Sequence, residues 1–321
     1  MTSSPGRPWW PWLRRLLTLA FFALVGWLLV RGARSIEWAE VASALAERPL
    51  ASLAPAALAA AASYLVYGTY DLIGRRYAGH ALPKRRVLTI AFVSYAFNLN
   101  LGSLVGGIGF RHRLYSRLGL PDGQISRIIA FSMLTNWSGY FMLGGIAFAL
   151  GRIDLPADWA IGTGALRVVG LLLVAVAAAY LLLCTFSRKR EWVVRGHTID
   201  LPSGRMAGLQ ILVSALNWAL IALVCYLLLQ REIPYATVLQ VLLVAAVAGL
   251  LTHVPGGLGV IEAVFLALLS HRLPAQQLLA GLLAYRGVYY LAPLAFALFT
   301  YLVMEGRIGR AGAAAHGTAP R

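Results

Sequence analysis

Long apolar stretches separated by short polar connections make up most of the chain. A stretch of about 20 mostly apolar residues is long enough for an α-helix to cross a bilayer. Six stretches approach or exceed this length, and they cover residues 13–30, 50–73, 127–150, 164–186, 207–229 and 275–304. The pattern predicts an all-α polytopic membrane protein.

Two further apolar stretches, 87–105 and 237–254, lead into glycine-rich sequences that resemble each other. The first glycine element is Gly-Gly-Ile-Gly at 106–109, and the second is Gly-Gly-Leu-Gly at 256–259. Backbone this rich in glycine cannot face lipid, because unwound N–H and C=O groups would find no partner there. We therefore expect both elements to be buried in protein or to line a cavity.

Composition and charge agree with a membrane protein. Hydrophobic residues make up 60% of the chain and charged residues 12%, and the net charge is +16. In a soluble protein this charge would suggest a nucleic-acid partner, but here the basic residues cluster at the ends of apolar stretches. Membrane orientation and anionic lipid explain that arrangement, so we expect no nucleic-acid partner.

The basic residues also favour one path for the two glycine-rich segments. If 87–105 crossed the bilayer, nine basic residues in the clusters 111–127 and 188–205 would lie outside. Short cytoplasmic loops normally hold most Lys and Arg. If the chain instead dips in, turns at the glycines and returns, both clusters and both chain termini are cytoplasmic. The charges favour re-entrant hairpins, and ordinary kinked spans are the alternative.

The similarity between the two glycine elements extends to their flanks. Pro83 precedes Gly106 by 23 residues and Pro234 precedes Gly256 by 22, and the repeats cover about 83–145 and 234–296. Three full crossings separate the hairpins, so the second copy is inverted. Inverted repeats with broken helices are typical of secondary transporters, whose binding sites lie at the repeat interface.

The fold expected from these patterns is a single integral membrane domain over residues 1–321. It has six full transmembrane helices and two re-entrant helical hairpins, which are related as an inverted repeat.

Polar groups near the repeat interface are the candidates for ligand binding. Helices that begin after the glycine pairs would direct free N–H groups at the membrane midplane, which suits phosphate or carboxylate. Charges within the membrane are costly, so Arg111, Glu262 and Arg286 are functional candidates. An Arg–Glu pair that only orders the hairpins is the alternative, as is an Arg111 that reaches the interface; Asp71, near a span end, is expected at the interface.

The candidate substrate-binding residues share a position on or beside the glycine elements or on an apolar stretch. They are Asn98, Asn100, Gly106, Gly107, Gly109, Arg111, His112, Asn136, His253, Gly256, Gly257, Gly259, Glu262 and Arg286. The asparagines have a second interpretation, as hydrogen bonds between helices.

Motifs of familiar enzymes and metal sites are missing from the sequence. The two cysteines, Cys184 and Cys225, have no neighbouring cysteine, so packing explains them better than metal or redox chemistry. We expect no catalytic residues, no metal and no cofactor.

The segments Tyr95–Arg111 and His253–Glu262 resemble the signature loops of the lysylphosphatidylglycerol synthetase/flippase transmembrane-domain family. The resemblance implies a bacterial inner-membrane protein that handles lipid. In bifunctional members this domain moves aminoacylated phospholipid between leaflets, and a separate soluble domain attaches the amino acid. Because the chain ends at Arg321, we expect a stand-alone member without aminoacyltransferase activity. Leu104 and Val105 stand where the bifunctional members commonly have a Pro. The resemblance therefore does not identify the lipid that this chain would handle.

The resulting hypothesis is a flippase-like protein that binds and translocates a phospholipid or lipid-linked headgroup, either anionic or aminoacylated. The alternative is a non-transporting partner or regulator of a lipid-synthesis enzyme, and a homo-oligomer is open in both cases. An intramembrane lipid-modifying enzyme is a third alternative.

Overall fold

The computed structural model describes residues 38–151, 162–194, 197–252 and 254–317, together with Ala23, Trp27, Val30 and Arg34. The chain divides into two compact units, residues 1–39 and 40–321. Most of the predicted span 13–30 lies outside the described residues, and its described members Ala23, Trp27 and Val30 are helical.

Helices dominate the described residues. They are α1 (Trp38–Ala46), α2 (Leu50–Ala78), α3 (Lys84–Leu101), α4 (Arg111–Arg117), α5 (Asp122–Leu150), α6 (Thr163–Phe186), α7 (Gly204–Leu228), α8 (Tyr235–Thr252), α9 (Val260–Leu269), α10 (Ala275–Tyr285) and α11 (Ala292–Gly317). Two π-helical segments, π1 (Ser103–Phe110) and π2 (Arg286–Leu291), and a 3-10 turn (Pro255–Gly257) interrupt them. The helical prediction is confirmed for most of this part of the chain.

One short antiparallel hairpin was not predicted. Strands β1 (Glu191–Val194) and β2 (His197–Asp200) lie between α6 and α7, with Glu191 opposite Asp200. The side-chain hydroxyl of Tyr77 on α2 donates to the carbonyl of Asp200, and Arg127 on α5 forms an ion pair with its carboxylate. The hairpin is thereby attached to the ends of two helices.

Five segments of the described chain are long and apolar enough to cross a membrane. They are Leu50–Ala78, Gly164–Phe186, Gly204–Leu228, Tyr235–Thr252 and Ala275–Gly306. Four of them correspond to predicted spans. Helix α5, 29 residues long, contains the predicted span 127–150 but is not among the five, because Thr135, Asn136 and Ser138 lower its mean hydropathy.

The remaining candidate span is α8, which the sequence interpretation treats as one arm of a re-entrant hairpin. Its 18 residues correspond to about 27 Å of helix at 1.5 Å per residue. A hydrocarbon core is about 30 Å thick. Length alone therefore leaves both the re-entrant arm and the full span open for α8.

Small residues let the central helices pack closely. Gly139 on α5 lies against the backbone of Ala215 and the side chain of Ser214 on α7, where a Cβ would collide. Gly145 on α5 faces Gly170 on α6, and a Cβ on Gly145 would lie 2.8 Å from the Gly170 carbonyl oxygen. Close approach at small residues is the usual way in which membrane helices associate.

Many of the basic side chains gather at one end of the helix bundle, which we call the basic end. There Arg113 and Arg117 both pair with Glu305 on α11, and Arg127 pairs with Asp200. His80, which follows α2, meets the ring of Tyr115 on α4 at 6.0 Å between centroids. The ends of α2 and α4, the start of α5 and the middle of α11 thus lie together.

Candidate functional site

The first glycine element lies within a helix. Helix α3 continues to Leu101, and the chain then bends at Gly102, whose φ of 85° is readily adopted only by glycine. Gly106 in π1 lies against the backbone of Phe97 and Asn98, where any Cβ would collide. The expectation of unwound backbone at the first glycine element is therefore wrong: the chain leaves the helix at Gly102, and Gly106 allows two helical segments to touch.

Segments α3 and α4 form a helical hairpin that returns to the end where it begins. The rings of Phe97 on α3 and Phe110 on π1 stack at 4.0 Å. His80, which lies ahead of α3, contacts Tyr115 on α4. Both arms therefore reach the basic end. Partial burial and the nearby charge of Arg75 lower the pKa of His80 at this end.

The second glycine element is unwound, as predicted. Gly256, Gly257 and Gly259 have φ values of 67°, 57° and 78°, in the left-handed region that disfavours residues with a Cβ. Helix α9 begins immediately after Gly259. His253 lies outside the described residues.

The second element lies against the end of α3, the helix that leads into the first element. A Cβ on Gly256 would lie 3.5 Å from the carbonyl oxygens of both Leu99 and Asn100. The Asn100 side-chain amide donates to the carbonyls of Ala96 at 2.8 Å and Tyr290 at 3.3 Å. The end of α3, the 3-10 turn and π2 thus meet at one point.

Arg286 fastens the second element. Its Nε and Nη2 bond the two carboxylate oxygens of Glu262, the latter at 2.9 Å. Its Nη1 donates to the Gly256 carbonyl at 3.1 Å and its Nη2 to the Gly257 carbonyl at 2.9 Å. The structure thus shows Arg286 in an internal ion pair with Glu262. The Arg286 guanidinium therefore supplies hydrogen-bond donors for the Gly256 and Gly257 carbonyls of the unwound turn.

Arg111 pairs with Asp71 rather than with Glu262. Its Nε and Nη2 lie 3.2 and 3.1 Å from the Asp71 carboxylate oxygens, and Nη2 also lies 3.2 Å from the hydroxyl of Tyr67. Tyr115 donates to the same carboxylate at 3.0 Å. Arg111 is 2% exposed and Asp71 is 0% exposed. The alternative of an Arg111–Glu262 pair is wrong, because α2 supplies a buried carboxylate next to α4. The burial of Arg111 and Asp71 also contradicts side chains that reach out to the membrane interface.

A tyrosine cluster between the two ion pairs was missed by the sequence interpretation. The hydroxyl of Tyr289 lies 2.7 Å from the Ser63 hydroxyl and 2.9 Å from that of Tyr95. The rings of Tyr67 and Tyr95 stack at 3.6 Å. The three-residue spacing of Tyr64, Tyr67 and Tyr70 was the available signal, since it puts all three on one helical face.

The remaining candidates lie apart from this contact or serve packing. His112 is 48% exposed and pairs with Asp122 at 3.1 Å. The Asn136 carbonyl accepts from the Ser214 hydroxyl at 2.8 Å, so it joins α5 to α7. Within the parts of the chain that the structure describes, no three His, Cys, Asp or Glu side chains come together as metal ligands would.

Apolar helices, interrupted helical segments and buried ion pairs together define a polytopic helical membrane protein. The chain belongs to the family described as the lysylphosphatidylglycerol synthase TM region, whose model matches residues 15–297. The resemblance in the glycine-containing segments is thereby confirmed.

Named relatives include an inner membrane protein and a phosphatidylglycerol lysyltransferase. The chain is 43% identical over 305 residues to the inner membrane protein YbhN of Escherichia coli, covering 95% of this chain and 96% of that protein. It is 33% identical over 235 residues to the uncharacterized protein slr0712 of Synechocystis, covering 72% and 73% respectively. A phosphatidylglycerol lysyltransferase of Staphylococcus haemolyticus is 27% identical over 244 residues, which are 73% of this chain but only 27% of that protein.

Proposed function

We propose that the protein binds a phospholipid headgroup where the second glycine element meets the end of α3 and moves it between the leaflets of the inner membrane. The observation that carries this proposal is the contact of Gly256 with the carbonyls of Leu99 and Asn100. Irregular backbone at membrane depth occurs where it is buried or lines a cavity, and transporters bind their substrates at such breaks. The relative named for lysyl transfer to phosphatidylglycerol supports a phospholipid as the ligand.

The proposed topology has six crossings, two inverted re-entrant hairpins and cytoplasmic termini. In its support, the α3–α4 hairpin starts and finishes at the basic end. Leu229, which precedes α8, and Leu273, which follows α9, line one cavity. The second hairpin thus also starts and finishes at one end of the bundle. None of the residues that define the basic end lies there.

Arg286 is the guanidinium that an incoming phosphate would reach. Side-chain exposures are 8% and 15% in the Arg286–Glu262 pair, against 2% and 0% in the Arg111–Asp71 pair. Carboxylate and phosphate both accept two parallel hydrogen bonds from arginine. In the proposed mechanism phosphate replaces Glu262 on Arg286, and Glu262 pairs with Arg286 again after release. The Arg111–Asp71 pair stays closed and keeps α4 against α2.

The candidate groups around Arg286 complete the proposed site. The amides of Asn98 and Asn100 and the N–H groups that open α9 lie on the segments that meet there. Such N–H groups favour anions. A headgroup held between both elements would then follow whichever hairpin moves.

Translocation of labelled phosphatidylglycerol in liposomes tests the proposal. Wild-type protein is expected to exceed empty liposomes, and Arg286→Gln to lose at least about tenfold in rate, equivalent to roughly 1.4 kcal/mol. Glu262→Gln should also slow it, because phosphate release then has no carboxylate to compete for Arg286. Arg76→Gln is the matched control, since it removes an exposed charge at the basic end.

Wild-type protein that moves lipid no faster than empty liposomes would contradict translocation. It would favour the alternative, in which the chain is a non-transporting partner of a lipid-synthesis enzyme.

A further inference from the structure

A cavity at the end of the bundle opposite the basic end takes no part in the proposed site. We call it the interface cleft; it has a volume of about 120 Å³ and is lined by Arg48, Leu229, Gln230, Glu232, Leu273 and Gln277. Three connections converge on it, between α1 and α2, α7 and α8, and α9 and α10. Both ends of the second hairpin therefore border this cleft.

The cleft lies where candidate spans begin and end, which is the level expected for lipid headgroups. Its lining residues fall just outside or at the first turns of candidate spans, which begin at Leu50, Tyr235 and Ala275 and end at Leu228. Leu229 and Leu273 are buried and form an apolar floor, while Gln230, Glu232 and Gln277 are exposed at the rim. An apolar floor under a polar rim matches the boundary between acyl chains and headgroups.

One cation and one anion face the cleft without neutralising each other. Arg48 Nη2 makes a long hydrogen bond of 3.4 Å to the Gln277 carbonyl. Among the described residues, neither Arg48 nor Glu232 forms an ion pair. Partial burial lowers the pKa of Arg48 against the opposing effect of Glu47. The guanidinium has therefore lost part of its hydration and would gain from a bound anion.

The backbone at the rim is held in an uncommon conformation. Gln230 and Arg231 have φ values of 55° and 64°, and they are the two non-glycine residues with positive φ in the described chain. Backbone hydrogen bonds from Arg231 N to Tyr226 O and from Glu232 N to Leu229 O maintain this turn. Such strained turns concentrate at ligand sites. Here the turn presents Gln230 and Glu232 to the cleft.

From these observations we infer that the interface cleft binds the zwitterionic phosphoethanolamine headgroup of a phospholipid. The phosphate would pair with Arg48 and the ammonium with Glu232, while the amides of Gln230 and Gln277 supply further hydrogen bonds. A purely anionic headgroup gains only Arg48 and is repelled by Glu232. The inference deepens the proposed function, on which it rests, by naming a lipid class that is taken up or released at this end.

Lipid retention by the purified full chain tests the inference without requiring movement. The protein in detergent receives an equimolar mixture of phosphatidylethanolamine and phosphatidylglycerol with identical acyl chains, and native mass spectrometry measures the bound ratio. Wild-type protein is expected to prefer phosphatidylethanolamine several-fold. Glu232→Gln should abolish the preference, and Arg48→Gln should reduce retention of both lipids. Arg272→Gln, an exposed charge at the same end but outside the cleft, should change neither.

Equal retention of both lipids by wild-type protein would overturn the inference, as would an unchanged ratio in Glu232→Gln. Excess soluble phosphoethanolamine should displace the bound lipid, because the cleft contacts the headgroup; undiminished retention would also count against it. Binding of soluble phosphoethanolamine with no retention of the lipid would overturn the lipid as occupant. Wild-type protein that shows no such preference but translocates labelled lipid in liposomes would remove this inference and leave the proposed function intact.

Discussion

At the scale of single residues, the two buried arginines do different things for the chain. Arg111 gives its donors to the side chains of Asp71 and Tyr67, and it thereby joins α4 to α2. Arg286 divides its donors between Glu262 and the carbonyls of Gly256 and Gly257. The first arginine connects two helices, whereas the second also satisfies backbone that has left the helix.

Breaking the Arg111–Asp71 pair from one side should be more harmful than removing it whole. Arg111→Leu leaves a buried carboxylate without its cation, which costs about 3–5 kcal/mol, whereas apolar replacement of a whole buried pair is often neutral. We expect Arg111→Leu to melt well below wild type in detergent and Arg111→Leu with Asp71→Leu to recover part of the loss. A double variant no more stable than Arg111→Leu would contradict this.

The hydroxyl of Tyr289 should contribute more to the stability of the fold than the hydroxyl of a tyrosine without such contacts. Tyr289→Phe leaves the buried Ser63 and Tyr95 hydroxyls with one partner fewer, at a cost of about 1–3 kcal/mol. Thermal unfolding of Tyr289→Phe and Tyr226→Phe provides the comparison. Equal melting temperatures for the two variants would argue against a role for this hydroxyl in stability.

At the scale of elements, the two copies of one sequence motif have become different structures. In the second copy, Pro255 and three left-handed glycines produce a true break. In the first copy, Gly106 lies in a π-helix, and the break has moved to Gly102. Because π-helical turns are rare and concentrate at functional positions, π1 and π2 beside the contact point agree with a site there.

Gly106 of the first copy should therefore resist any side chain. Gly106→Ala would drive a methyl into the backbone of Phe97 and Asn98, and the hairpin would have to open. Gly123→Ala, in the first turn of α5 with open space around it, should leave stability unchanged or raise it by up to about 1 kcal/mol. Melting curves of both variants check this, and a stable Gly106→Ala protein would show that the two arms are not in contact.

Some elements could be predicted from the sequence and others could not, for physical reasons. The apolar spans and the unwound second element follow from local properties, namely length, hydropathy and consecutive glycines after a proline. The helical first element was missed because glycine also permits close packing, and sequence alone does not distinguish the two uses. The partner of Arg111 was missed because it lies on α2, 40 residues away. Which side chain of α2 faces Arg111 depends on how the helices are rotated about their axes when they pack, and the sequence does not give that rotation.

At the scale of the whole molecule, the arrangement of charge and hairpins can be checked from both sides of the membrane. Gly123 is exposed beside the basic end, and His271 is exposed near the interface cleft. The native Cys184 and Cys225 are buried, so they should contribute little labelling.

Single cysteines at positions 123 and 271 are expected to react with impermeant thiol reagents from opposite sides of the membrane. The topology predicts position 123 on the cytoplasmic side, because short basic segments remain there. Labelling of both from one side would contradict the inverted hairpins, while a wild type without cysteine substitutions measures the background.

The contact of Gly256 with the Leu99 and Asn100 carbonyls has a consequence for how this protein can change over generations. Every residue possesses the same main-chain carbonyl, so no replacement of Leu99 or Asn100 removes the atoms that a Cβ at 256 would touch, and the φ of 67° at Gly256 itself disfavours any residue with a Cβ. A mutant at 256 would relax its strained turn by shifting that turn against α3. Suppressor mutations should therefore arise where α3 packs on its neighbours. Substitutions in the two halves of the gene are then expected to co-vary.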